Sequence, residues 1–142
     1  MKKVVFLLAV GFSALTATAQ QKNDVTVGNG ILSKEVRNIV NFERLDINGP
    51  FEVRLVSGNA GTVTIEAEKN LLELITTEVK GDVLTIAPQP GKLFKSSKGN
   101  KVIIKVPFAT LHEISFKGSG SLTGKKTITD KIKITLSGSG NI

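Results

Sequence analysis

Apolar and polar positions alternate along most of the chain from Ile39 onward. In FEVRLV (51–56), Phe51, Val53 and Leu55 are set against Glu52, Arg54 and Val56. In TVTIEAE (62–68), Val63, Ile65 and Ala67 are set against Thr64, Glu66 and Glu68. VLTIAP (83–88), KVIIKVP (101–107), EISFKG (113–118) and KIKITLS (131–137) follow the same rule. Such alternation, rich in β-branched residues and bounded by Gly, Pro, Asn and Ser, predicts half-buried strands. SGNAG (57–61) and KGD (80–82) supply turns. NLLELITTEV (70–79) places Leu71, Leu72, Ile75 and Val79 at near-helical spacing, but its β-branched residues disfavour a helix. A short turn at 70–73 and then a strand are predicted there, with a single helix as the alternative. QPGKLFKSSKGN (89–100), rich in Pro, Gly, Ser and Lys, reads as a flexible insertion between strands.

One phrase occurs twice. ISFKGSGSL (114–122) lies over ITLSGSGNI (134–142) at a constant offset of 20 residues, so that Ile114 meets Ile134, Phe116 meets Leu136 and Leu122 meets Ile142. Ser115 and Lys117 fall over Thr135 and Ser137, so inward positions stay apolar and outward ones polar. A fixed period of this size points to stacked repeats. The expected fold is all-β, a β-solenoid or β-helix-like stack of short strands. Its corners are Gly118-Ser119-Gly120 and Gly138-Ser139-Gly140. Gly suits a corner that turns sharply and leaves no room for a Cβ between neighbouring coils. The spacings Ile65 to Ile86 and Ile86 to Ile104 suggest layers of similar width.

The first residues belong to a different pattern. Lys2 and Lys3 precede the apolar run VVFLLAVGFSALTA, and Ala17-Thr18-Ala19 places small residues before Gln20. This is a signal peptide over residues 1–19, and the apolar run is too short and too interrupted for a spanning helix. Residues 20–38 mix polar residues and Gly with little apolar pattern and read as a flexible leader, followed by a β domain over 39–142. The chain of 142 residues has no Cys, Trp or Tyr. An exported chain without Cys is stabilised by burial and sheet hydrogen bonds, not by disulfides.

Candidate chemistry is sparse. The single His112 stands beside Glu113, without a second His or a Cys to complete a metal set, and reads as a solvated loop residue. Glu66 and Glu68 share one strand face, two residues apart, and read as outward and solvated. The corners carry Ser where calcium-binding coils need Asp. No phosphate-cradling, nucleophile-elbow or zinc pattern is present. The reading is a non-enzymatic chain with no cofactor. Lysines are concentrated in the second half: Lys92, Lys95, Lys98, Lys101, Lys105, Lys125 and Lys126 form a candidate basic contact face for an anionic surface or envelope ligand. Export and the scarcity of aromatics disfavour nucleic acid.

The segment NFERLDINGPFEVRLV, then TVTIEAE with Asn70-Leu71-Leu72, Glu78 to Ile86, the strand ending Val106-Pro107 and the Ser-Gly-Ser-Gly corners resemble the head GIN domain family of exported bacterial proteins. The resemblance covers about residues 39–142. It implies a β-rich, solenoid-like fold, export to the periplasm, outer envelope surface or extracellular space, and a role in adhesion or binding. It brings no catalytic residues. The family continues through further coils, so an end at Ile142 inside a coil implies an incomplete domain. The alternative role is a structural envelope or assembly element that self-associates through the open edge of its last strand.

Overall fold

The alternating runs become strands that turn their apolar sides toward one shared core. In a computed structural model of the chain, residues 24–59, 61–124 and 131–142 are described. In chain order these form β1 (Val25–Val27), β2 (Leu32–Asn38), β3 (Arg44–Asn48), β4 (Phe51–Ser57) and β5 (Thr62–Glu68). Then come α1 (Lys69–Leu72), β6 (Ile75–Lys80), β7 (Val83–Pro88), β8 (Leu93–Lys95), β9 (Val102–Phe108), β10 (Glu113–Lys117), β11 (Ser121–Gly124) and β12 (Lys133–Ser137). One five-stranded sheet runs β12-β10-β3-β7-β6, a second runs β11-β4-β9-β5-β2, and β1 and β8 form a two-stranded ribbon. Leu45, Ile47, Leu84, Ile86, Ile114 and Phe116 from the first sheet share one buried cluster with Phe51, Val53, Ile65, Ile104, Val106 and Leu122 from the second.

The short α1 followed by β6 is the turn-then-strand expected at 70–80. The doubled phrase is also realised as a pairing. β10 and β12 run parallel with Ile114 opposite Ile134 and Phe116 opposite Leu136. β3 joins the same ladder, with Ile47 opposite Phe116.

An uninterrupted solenoid is not what the described residues form. Stacking of like units is confined to the places where β3 leads into β4, β10 into β11, and β12 into Asn141. β4 and β11 pair parallel, and Ser121 makes an isolated parallel bridge to Asn141. Elsewhere the sheets are mixed: β6 is antiparallel to β7, and β5 is antiparallel to both β9 and β2. The two-residue Gly81–Asp82 turn between β6 and β7 can join only antiparallel neighbours. The even Ile spacings were therefore not a layer period. Ile65 pairs with Ile104 in one sheet, while Ile86 lies beside Ile47 in the other.

Two further readings are corrected. Of residues 20–38, read as a flexible leader, the described part, 24–38, contains β1 and β2, and β2 pairs with β5 along its whole length. The 89–100 segment, read as a flexible insertion, contains β8, whose Phe94 enters the core with its ring 6.1 Å from that of Phe51. The signal-peptide reading falls outside the described residues.

Candidate functional site

The chain crosses from the first sheet to the second at Gly49-Pro50 and at Gly118-Ser119-Gly120, and the same corner recurs at Gly138-Ser139-Gly140. The corners are stacked. Gly118 has φ +129°, and a Cβ placed on it would lie 2.6 Å from the Gly49 carbonyl oxygen. A Cβ on Gly138 would lie 2.5 Å from the Gly118 carbonyl oxygen. The backbones touch at each level, which is the physical reason for Gly at these positions. The Gly49 amide donates to Lys117 and the Gly118 amide to Ser137, so the ladder continues into the corners. Ser119 and Ser139 are exposed.

A second assembly is centred on Glu68. It lies on the outward face of β5, as Glu66 does, yet it is only 1 % exposed. The turn after β1 and the loop after β8 close over it. Its carboxylate accepts hydrogen bonds from the Gly30 amide at 2.7 Å, the Ser97 amide at 2.9 Å, the Asn100 side-chain amide at 3.2 Å and the Ser97 hydroxyl. A Cβ on Gly28 would overlap the carboxylate, so this approach also requires Gly. The hydrogen bonds, led by the Ser97 hydroxyl, outweigh burial and hold the carboxyl down to about 2. Asn70 adds to the tie: its side-chain amide donates to the Val27 carbonyl at 2.9 Å, and its side-chain oxygen accepts from the Asn29 amide at 3.0 Å. Sequence reasoning placed Glu68 in water because alternation reports the face of a strand, not what covers that face.

The seven lysines of the candidate basic face are not equivalent. Lys92, Lys95 and Lys98 are exposed on the loop that Glu68 anchors. Lys101 and Lys105 sit on the outer face of the second sheet and are engaged with acids. Lys101 lies 3.4 Å from Glu52, and Lys105 lies 2.9 Å from Glu66. Glu52 is also 2.6 Å from Arg54, and Glu66 is 3.8 Å from Lys34. Hydrogen bonding from Arg54 holds Glu52 below the usual carboxylate range, and hydrogen bonding from Lys105 does the same for Glu66. Lys125 and Lys126 lie outside the described residues. His112 faces Glu43 at 3.5 Å, and Glu113 pairs with Lys133 at 3.7 Å. Among the described residues no three His, Cys, Asp or Glu side chains gather as a metal site.

Between the corner stack and the anchored loop lies a cleft of about 730 Å³. Gly118 to Ser121 line one side, Lys95, Ser96, Asn100 and Lys101 the other, and Phe51 and Phe94 lie at its base. The structure thus brings one of the expected corners together with two of the expected lysines. Neither the cleft nor the role of Asn100 was visible in the sequence, because both depend on a loop folding back across β5.

The family model described as "Putative auto-transporter adhesin, head GIN domain" matches residues 41–142. A comparison with curated proteins finds no match. Among solved structures, a "putative adhesin" from Bacteroides fragilis NCTC 9343 is similar with TM-score 0.71 and 23% identity, over 80% of this chain and 53% of that one. A "putative adhesin" from Parabacteroides merdae ATCC 43184 is similar with TM-score 0.69 and 22% identity, over 80% of this chain and 47% of that one. A "putative lipid binding protein" from Parabacteroides distasonis ATCC 8503 gives TM-score 0.69 and 21% identity, over 80% of this chain and 49% of that one. The chain therefore spans about half the length of the solved structures it matches. At these identities the likeness is one of fold. The chain belongs to the head GIN domain family.

Proposed function

We propose that the chain is an exported, non-enzymatic contact module of the bacterial envelope that meets its target through the Lys92–Lys98 loop and the adjoining corners. The observation that carries this reading is the loop itself. It presents three exposed lysines, and it is pinned at Ser97 and Asn100 by the buried Glu68 carboxylate. A cationic surface held in place attracts an anionic one without first having to be ordered. Family membership and the adhesin descriptions of the matched structures support the same role. No helix among the described residues is long and apolar enough to cross a membrane. The signal-like residues 1–19 support export. Cleavage before Gln20, read by N-terminal sequencing of exported protein, tests that part.

Beads coated with the chain and counted on intact bacterial and epithelial cells test the contact role. Retention is expected at low salt, with loss when Lys92, Lys95 and Lys98 are all replaced by Gln. Retention no better than that of bare beads under low salt overturns the reading.

A second role, assembly through a sheet edge, is favoured by one observation. On the edge strand β12, Ile134 is 43% exposed and Leu136 is 47% exposed. Light scattering on the eluting protein distinguishes the two roles. A monomer at high micromolar concentration rules out assembly through this edge.

A further inference from the structure

The cleft between the corner stack and the anchored loop has the volume of a ligand site, within the range of about 300–1,000 Å³. Its chemistry is selective. Ser96, Ser119 and Ser121 offer hydroxyls that both donate and accept hydrogen bonds, and Asn100, whose side-chain amide donates to Glu68 and to the Ser97 hydroxyl, offers its side-chain oxygen as an acceptor. Lys95 and Lys101 contribute positive charge to one wall. Among the described residues the single acid that lines the cleft is Glu52. Its charge is already engaged by Arg54 at 2.6 Å and Lys101 at 3.4 Å, so the cleft retains a cationic balance. The aromatic rings at its base offer no open stacking face, because Phe51 is 0% exposed and Phe94 is 8% exposed. A neutral sugar therefore has no platform here. An extended peptide also lacks its usual partner, because the walls are corners and a loop, not an open strand edge.

We propose that this cleft binds a carboxylate-bearing saccharide segment. Lys95 and Lys101 meet its carboxylates, Ser119 and Ser121 exchange hydrogen bonds with its hydroxyls, and the Asn100 side-chain oxygen accepts from them. Glu68 acts as a positioning residue, since it holds Asn100 and thereby fixes the loop wall. The assignment deepens the contact role proposed above, and rests on it, by naming the ligand class.

The probe is an oligogalacturonate of defined length, titrated into the whole chain by calorimetry. Neutral galacto-oligosaccharide and oligoglutamate of matched length run in parallel. Oligogalacturonate is expected to bind at least about tenfold more tightly than either, with affinity falling as salt is raised. Ser119→Glu, at an exposed corner, should abolish binding while leaving the thermal melt unchanged. Lys95→Gln, on the exposed loop, should weaken it by about three- to tenfold. Lys80→Gln, which changes an exposed lysine on β6 outside the cleft lining and outside the Lys92–Lys98 loop, should leave it unaltered. No heat from oligogalacturonate overturns the assignment, as does equal binding of oligoglutamate, or affinity indifferent to both Ser119→Glu and Lys95→Gln. Coated beads that hold cells equally well with Ser119→Glu sink the cleft assignment and leave the contact role standing. Saccharide binding by a chain that holds no cells does the reverse.

Discussion

Ile114 and Ile134 face each other directly across two parallel strands, yet the first is 1% exposed and the second 43%. The pair isolates the effect of cover from the effect of register. Ile114→Ala empties a filled site and should cost about 2–5 kcal/mol. Ile134→Ala should cost less than about 1 kcal/mol, because its side chain is already half in water. Urea melts of the two variants check this. Equal losses would mean that β12 is buried by something beyond the described residues.

The corner stack makes a graded prediction. A Cβ on either residue would press on one neighbour's backbone at nearly equal distance, but Gly138 follows β12, an exposed edge strand that can give way, whereas Gly118 follows β10, which is held between β3 and β12. Both have positive φ. Gly118→Ala should therefore cost more than Gly138→Ala. The strained backbone alone contributes about 1–3 kcal/mol at each site, and the clash adds more at Gly118, where the strands on both sides hold the corner in place. Chemical denaturation of both variants in one buffer gives the order. The reverse order overturns the stacking account.

Glu68 sets an acid limit. Its carboxyl is held down to about 2, so its ionised form is favoured in the folded chain. The resulting stability is fully present above the ordinary carboxylate range and is lost as pH falls through the folded value. Glu68→Gln places an amide against the Gly30 and Ser97 amide donors. It should destabilise the chain at neutral pH, and the gap from the unaltered chain should narrow as pH drops from about 4.5 toward 2. Denaturation midpoints of both proteins across that window provide the measurement, and a constant gap contradicts the hydrogen-bond account.

Arg37 ties the edges of the two sheets together. From β2 it donates to the Leu72 carbonyl at 2.8 Å and to the Ile75 carbonyl at the start of β6, while Glu35 pairs with it at 2.6 Å. Lys lacks the planar fork that reaches two carbonyls at once. Arg37→Lys should cost about 1–3 kcal/mol. Hydrogen exchange should quicken in β2 and β6 and stay unchanged in β10. Faster exchange spread evenly over the chain would argue against a local tie.

What the sequence revealed and what it hid follow from the same physics. The register of Ile114 on Ile134 was legible because identical spacing of inward residues leaves one pairing that keeps both sets inside. The turn and strand at 70–80 were legible from β-branched residues that resist a helix. β2 was missed because its pattern is inverted. Leu32 and Val36 point to water at 65% and 59% exposure, while Arg37, on the opposite side of the strand, reaches across to the neighbouring sheet. The corner at Gly49 was missed because Pro50 stands where the later corners have Ser, and because it is separated from them by strands of other pairings. Glu68 was missed because its partners, Gly30, Ser97 and Asn100, come from two segments with no periodicity.

The parallel pairing of β1 with β8 sets how the molecule would carry mechanical load. Were β1 pulled from its N-terminal end and β8 from Lys95, the two strands would be loaded at opposite ends. The Val25–Leu93, Thr26–Phe94 and Val27–Lys95 pairs are then sheared together instead of peeled one by one. The Gly28 amide bond to the Lys95 carbonyl and the Glu68 carboxylate lie at the end of that track. Load on this ribbon would run through the buried anion and, by way of Phe94 against Phe51, into the core between the two sheets.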